Sequence, residues 1–149
     1  MATGVGLSAY STRTEAIPTA SLDSLADDVN AIGTTQIVNT SALRYDRIVM
    51  DIYLASVDLS SVDNPALYIW LLELLDGSNY EDGGASVDPA RQPDIIIPLR
   101  EVSGAQRARG QCLIEPGTYL ALLGNRAGAA LASSGNTIYY RKFSGEINN

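Results

Sequence analysis

Residues 45–55 alternate in a way that a β-strand with one buried face explains. Ile48, Met50, Ile52 and Leu54 fall on one side, while Arg47, Asp51 and Tyr53 share the other with Val49. Successive strand side chains point to opposite faces, so this period of two commits one face to an apolar core.

Other segments extend the pattern. Residues 34–39 are rich in β-branched side chains and run into polar Asn39-Thr40-Ser41. Residues 67–75 (LYIWLLELL) are apolar on both faces and predict a central strand. Leucine makes a helix the rival there, but Asp63-Asn64-Pro65 before it and Asp76-Gly77-Ser78-Asn79 after it are turn chemistry. Residues 94–99 (DIIIPL) predict a short strand, with Pro98 favouring an edge position. Residues 109–115 lead into the turn dipeptide Pro116-Gly117, across which residues 118–123 are expected to return as a hairpin partner. A further turn at residues 133–136 precedes a last strand over 137–143. Leu22, Leu25, Val29 and Ile32 have helical spacing, with Ser21 as N-cap and Gly33 as stop. Asp27, Asp28 and Asn30 are weak helix formers, so a loop or short strand competes on nearly equal terms.

Together these signals predict an all-β chain: an antiparallel β-sandwich of seven or eight strands, with a jelly roll as the leading subtype. The first 20 residues are small and polar and are expected to form an extended N-terminal arm, leaving 21–149 as a single domain. A chain of 149 residues is the size of one ordinary domain and buries about two-thirds of its unfolded surface, enough for a true core.

Seventeen acidic and ten basic residues give a net charge of −7. Binding to nucleic acid needs clustered Lys and Arg to displace counterions from phosphates, so neither DNA or RNA nor an anionic membrane surface is an expected partner. Lys142 is the only lysine; the other nine basic residues are arginines. Arginine's planar fork suits carboxylate recognition at protein interfaces, although a lineage preference for arginine explains the bias equally well. No run reaches the roughly 18 apolar residues of a membrane-spanning helix. The N-terminus has neither a basic n-region nor an apolar h-region, so no signal peptide is expected and synthesis in the cytoplasm is.

There is no histidine, which removes the commonest general base and the commonest metal ligand. Cys112 is the sole cysteine and reads as a small buried hydrophobe. Glu73 lies inside an apolar strand, where burial would raise its pKa; a strand-end carboxylate that reaches solvent or pairs with an arginine is the commoner case. The acids of residues 76–88 would suit calcium, but their spacing misses the EF-hand pattern and an ordinary surface loop accounts for them. Trp70 with Tyr68, and Tyr139 with Tyr140, are candidates for a sugar-binding platform. Trp70's apolar flanks favour the interior, and adjacent Tyr139 and Tyr140 must face opposite sides of a strand. No catalytic residue, metal ligand or cofactor site is expected, and the chain is read as a non-enzyme.

Three stretches resemble a known group. The loop DGSNYEDGG (76–84), the segment QRARGQCLIEPGTYLALL (106–123) and the stretch GNRAGAALASSGNTIYYRKF (124–143) are similar, in this order, to small structural proteins of tailed bacteriophages. The similarity spans roughly residues 24–143. Glu81 stands where those proteins commonly have a proline, and Tyr139-Tyr140 replaces a more basic, leucine-rich strand. The resemblance implies a virion component that decorates or cements the outer capsid surface, with the major capsid protein as partner and self-association into a dimer or trimer. A tail, baseplate or fibre protein is the alternative, and a carbohydrate-binding module the second. Tyr10, Arg13, Arg107, Arg109 and Arg141 are the expected interface residues.

Overall fold

The computed structural model describes residues 10–40 and 45–144. In chain order the elements are β1 Thr14–Ile17, α1 Thr19–Leu22, β2 Asn30–Ile32, β3 Ile37–Asn39, β4 Arg47–Asp58, β5 Ala66–Glu73, β6 Ile95–Pro98, β7 Ser103–Leu113, β8 Gly117–Arg126 and β9 Thr137–Phe143. They form two antiparallel sheets. Sheet A runs β1-β9-β4-β7, and sheet B runs β2-β8-β5-β6 with β3 also pairing β8. The expected all-β sandwich is therefore the observed architecture.

The alternation in β4 does what its period predicts. Ile48, Met50, Ile52 and Leu54 are buried and face Leu67, Ile69 and Leu71 of β5 and Tyr119, Ala121 and Leu123 of β8 across one core. Both faces of β5 are covered, which is why its sequence is apolar throughout. Trp70 and Leu72 point away from the main core and pack with Leu122 in a second, smaller cluster. The long connection from β5 to β6 folds back over that outer face. Trp70 Nε1 donates to the Arg91 carbonyl (3.2 Å), and Tyr80 packs on the cluster. β6 is an edge strand, as Pro98 requires.

Three expectations are corrected, and the open choice between helix, loop and short strand is decided. Residues 118–123 do not return beside residues 109–115: β7 pairs β4 in sheet A, while β8 pairs β2, β3 and β5 in sheet B. Pro116-Gly117 is a corner between sheets, because both strands have an apolar face that the core claims from opposite sides. β7 also starts earlier than the expected strand, at Ser103. The helix is a single turn, Thr19–Leu22, with Pro18 at its N-cap and Ser21 inside it; Ser24 and Asp28 have positive φ (59° each), which no continuing helix allows. Of the expected arm, residues 1–9 lie outside the described residues, but Thr14–Ile17 is a strand paired with β9, and Ala16 and Ile17 are fully buried. Ser11 extends this pairing: its N–H donates to the Lys142 carbonyl and its Oγ accepts from the Lys142 N–H, both at 2.8 Å.

Candidate docking face on sheet A

The outward positions of sheet A follow from its register. Along β4 they are Arg47, Val49, Asp51 and Tyr53. β7 sets Leu113, Gln111, Arg109 and Arg107 opposite them, and β9 sets Phe143, Arg141, Tyr139 and Thr137 on the other side. β1 adds Glu15 opposite Tyr139. Cross-strand neighbours on one face lie within about 5.5 Å at Cβ, so these side chains form a continuous surface.

Arginines and aromatic rings interleave on it. The Arg13 guanidinium lies 3.8 Å from the Tyr139 ring centre, Arg107 lies 4.8 Å from Tyr53, and Arg141 lies 4.8 Å from Tyr10. Tyr10 in turn meets the Phe143 ring at 5.1 Å. Asp51 is the central anchor: Oδ1 accepts from Arg109 Nε at 2.7 Å and Oδ2 from Arg141 Nη2 at 3.3 Å. Exposed ion pairs add little stability, so their effect here is to hold the guanidinium planes in place. The Nε of Arg141 is buried and has no hydrogen-bond partner among the described residues. Arg13, Tyr53, Arg107 and Arg109 surround a surface hollow floored in part by Asp51.

Five of the nine arginines (Arg13, Arg47, Arg107, Arg109 and Arg141) thus share one face with two carboxylates, Glu15 and Asp51. Over the rest of the sequence, five basic residues stand against fifteen acidic ones. An acidic protein therefore presents one cationic, aromatic face. Arginine and tyrosine are the residues that dominate binding energy at protein interfaces.

All five residues expected at an interface lie on this face. Arg47, Asp51, Tyr53 and Tyr139 belong to it as well. The first three were visible together in the alternation of β4, but only strand pairing joins them to Arg107, Arg109 and Arg141.

The opposite side differs. On the β5–β6 connection, Arg91 pairs with Glu81 (2.6 Å) and Asp94 (2.8 Å) and donates to the Leu71 carbonyl, while Asp94 accepts the Leu71 N–H. Hydrogen bonds from Asn30 and Arg126 lower the pKa of Asp88. Those from the side chain and backbone of Asn79, with Ser78, hold Asp76 at about 2. These carboxylates are engaged by the chain itself. Among the described residues no cluster of three or more His, Cys, Asp or Glu has metal-binding geometry.

Glu73 is exposed at the end of β5. Cys112 is half-buried, and desolvation pushes its thiol up to about 12, far from thiolate chemistry at neutral pH. Trp70 is 2% exposed and offers no open ring to a sugar, and Tyr139 is covered by Arg13. No family model, curated protein or solved structure matches this chain.

Proposed function

We propose that this chain is a non-catalytic bacteriophage structural protein that decorates the outer surface of the assembled capsid, docking on the major capsid protein through the outer face of sheet A. The observation that carries the docking reading is the concentration of five arginines, interleaved with Tyr10, Tyr53 and Tyr139, on one face of a chain whose net charge is −7. Guanidinium groups already stacked on rings lose little freedom when they meet a carboxylate, so such a face favours an acidic protein surface. The phage assignment is supported by the three stretches of resemblance. The strand orders β1-β9-β4-β7 and β2-β8-β5-β6, with repeated crossings between sheets, support the jelly-roll subtype.

Binding the assembled lattice better than free subunits stabilises the capsid by mass action. Self-association into a dimer or trimer would multiply that contact, since linked sites bind as one. The absence of histidine, the suppressed thiol of Cys112 and the internally engaged acids support a non-enzymatic role.

The test is cosedimentation with purified heads, and counting of this chain against the major capsid protein in intact particles. Saturable binding at a simple fraction of the capsid copy number is expected, weakened roughly tenfold or more by the double variant R107E/R109E. A copy number of a few per cent would move the protein to the tail. Failure to bind heads, or binding indifferent to the double variant, would overturn the docking reading.

A further inference from the structure

Sheet A ends in two unequal edges. β1 has four residues, and in sheet B the edge strands β6, β2 and β3 have four, three and three. β7 has eleven, pairs with β4 on one side, and has no described residue paired on the other. Proteins usually keep edge strands short or cover them, because a row of unpaired N–H and C=O groups is a template for another strand. Among the described residues this edge is long and open. Ala108, Gly110 and Cys112 point inward yet are only partly buried, so solvent reaches them around the flank.

We infer that β7 is a strand-addition site: an extended, acidic segment of the protein partner pairs with its free edge and becomes the fifth strand of sheet A. The inference rests on the docking reading above and names the form in which the partner is held.

Charge selects the occupant. The outward side chains of β7 run Arg107, Arg109, Gln111 and Leu113, and Leu113 is 71% exposed. Arg109 shares Asp51 with Arg141, and Arg107 rests on Tyr53 with no carboxylate against it among the described residues, so the edge keeps a surplus of positive charge. Two copies pairing β7 with β7 antiparallel about Arg109 would set arginine directly against arginine, a like-charge pair that destabilises a sheet. A strand with acids two residues apart meets Arg107 and Arg109 on the same face, and an apolar residue four positions further meets Leu113. Backbone hydrogen bonds would give such a complex affinity and the alternate side chains its specificity. The shift of register between Leu54 and Val57 limits the regular part of the edge to residues 106–113.

The full chain is titrated against a fluorescein-labelled ten-residue peptide with two aspartates two residues apart and a leucine four residues beyond, read by anisotropy. Two further peptides are N-methylated on alternate backbone nitrogens, one set facing β7 and the other facing away. Binding is expected, weakened roughly tenfold or more by R107E/R109E and abolished by one N-methylated set only. Equal binding of both methylated peptides would overturn strand addition and leave face-on docking standing. So would failure of the parent peptide when wild-type protein still cosediments with heads and R107E/R109E does not. Failure in both assays would remove the docking reading and this inference together.

Discussion

Asn125 is fully buried, and its side chain is committed to the backbone in every direction. Nδ2 donates to the carbonyls of Leu25 (3.0 Å), Ala26 (3.1 Å) and Ala129 (2.9 Å), and Oδ1 accepts from the Ala127 N–H (3.0 Å). Asn39, also fully buried, ties Tyr45 to Glu115, and Asn136 ties Ala55 to Asp23 and Ala132. Buried Gln106 brackets both the N–H and the C=O of Arg100. These amides replace a missing strand partner where the chain leaves one sheet for the other. Asn125→Ala is expected to destabilise the fold by at least about 2 kcal/mol in a urea titration, because several buried backbone groups lose their partner together. None of this was legible in the sequence: an asparagine beside glycine marks an exposed turn as readily as a buried latch, and only burial separates the two.

At the scale of elements, sequence periodicity located most strands, and turn chemistry located most of their ends. What failed was the assignment of partners. Pro116-Gly117 reverses the chain equally well within a sheet or between sheets, and which occurs depends on where each strand's apolar face must go. Gly110 has the same kind of meaning. It sits on the inner side of β7, opposite Met50, where a Cβ would collide with Ile95 and Ile97 of β6. The two sheets come together at that point because the residue has no side chain. Gly110→Ala is expected to cost about 1–3 kcal/mol in a denaturant titration, since branched isoleucines in a packed core yield poorly. It also separates roles: the change leaves Arg107 and Arg109 in place, so the proposed binding to heads should persist at a temperature where the variant is folded.

For the molecule as a whole, charge decides acid stability. Asp76 and Asp88 are held below the usual carboxylate range by hydrogen bonds they accept, Asp76 to about 2. A folded-state pKa below the unfolded one, about 3.9 for aspartate, means stability that is fully present above that value and lost as pH falls through the folded pKa. The melting temperature is therefore expected to fall between about pH 4 and pH 2, and Asp76→Asn should flatten part of that slope. With no histidine, no side chain of unperturbed pKa titrates between about pH 5 and 8, and the melting temperature should stay nearly level there. Differential scanning fluorimetry across the range tests both expectations.

Local chemistry is written along the chain, and so the sequence alone determined that this protein is made of strands, which side of β4 enters the core, that β5 is covered on both faces, and that no histidine-based chemistry is available. It also offered Tyr10, Arg13, Arg107, Arg109 and Arg141 as expected interface residues. Only the tertiary structure decided that these residues meet on one face, that β7 and β8 part company at Pro116-Gly117, and that β7 is a long edge left open among the described residues. The reason is physical: periodicity fixes the direction a side chain points relative to its own strand, whereas adjacency across strands depends on register and sheet order. Those are set by how the apolar faces of the strands bury together, and no single segment contains that information.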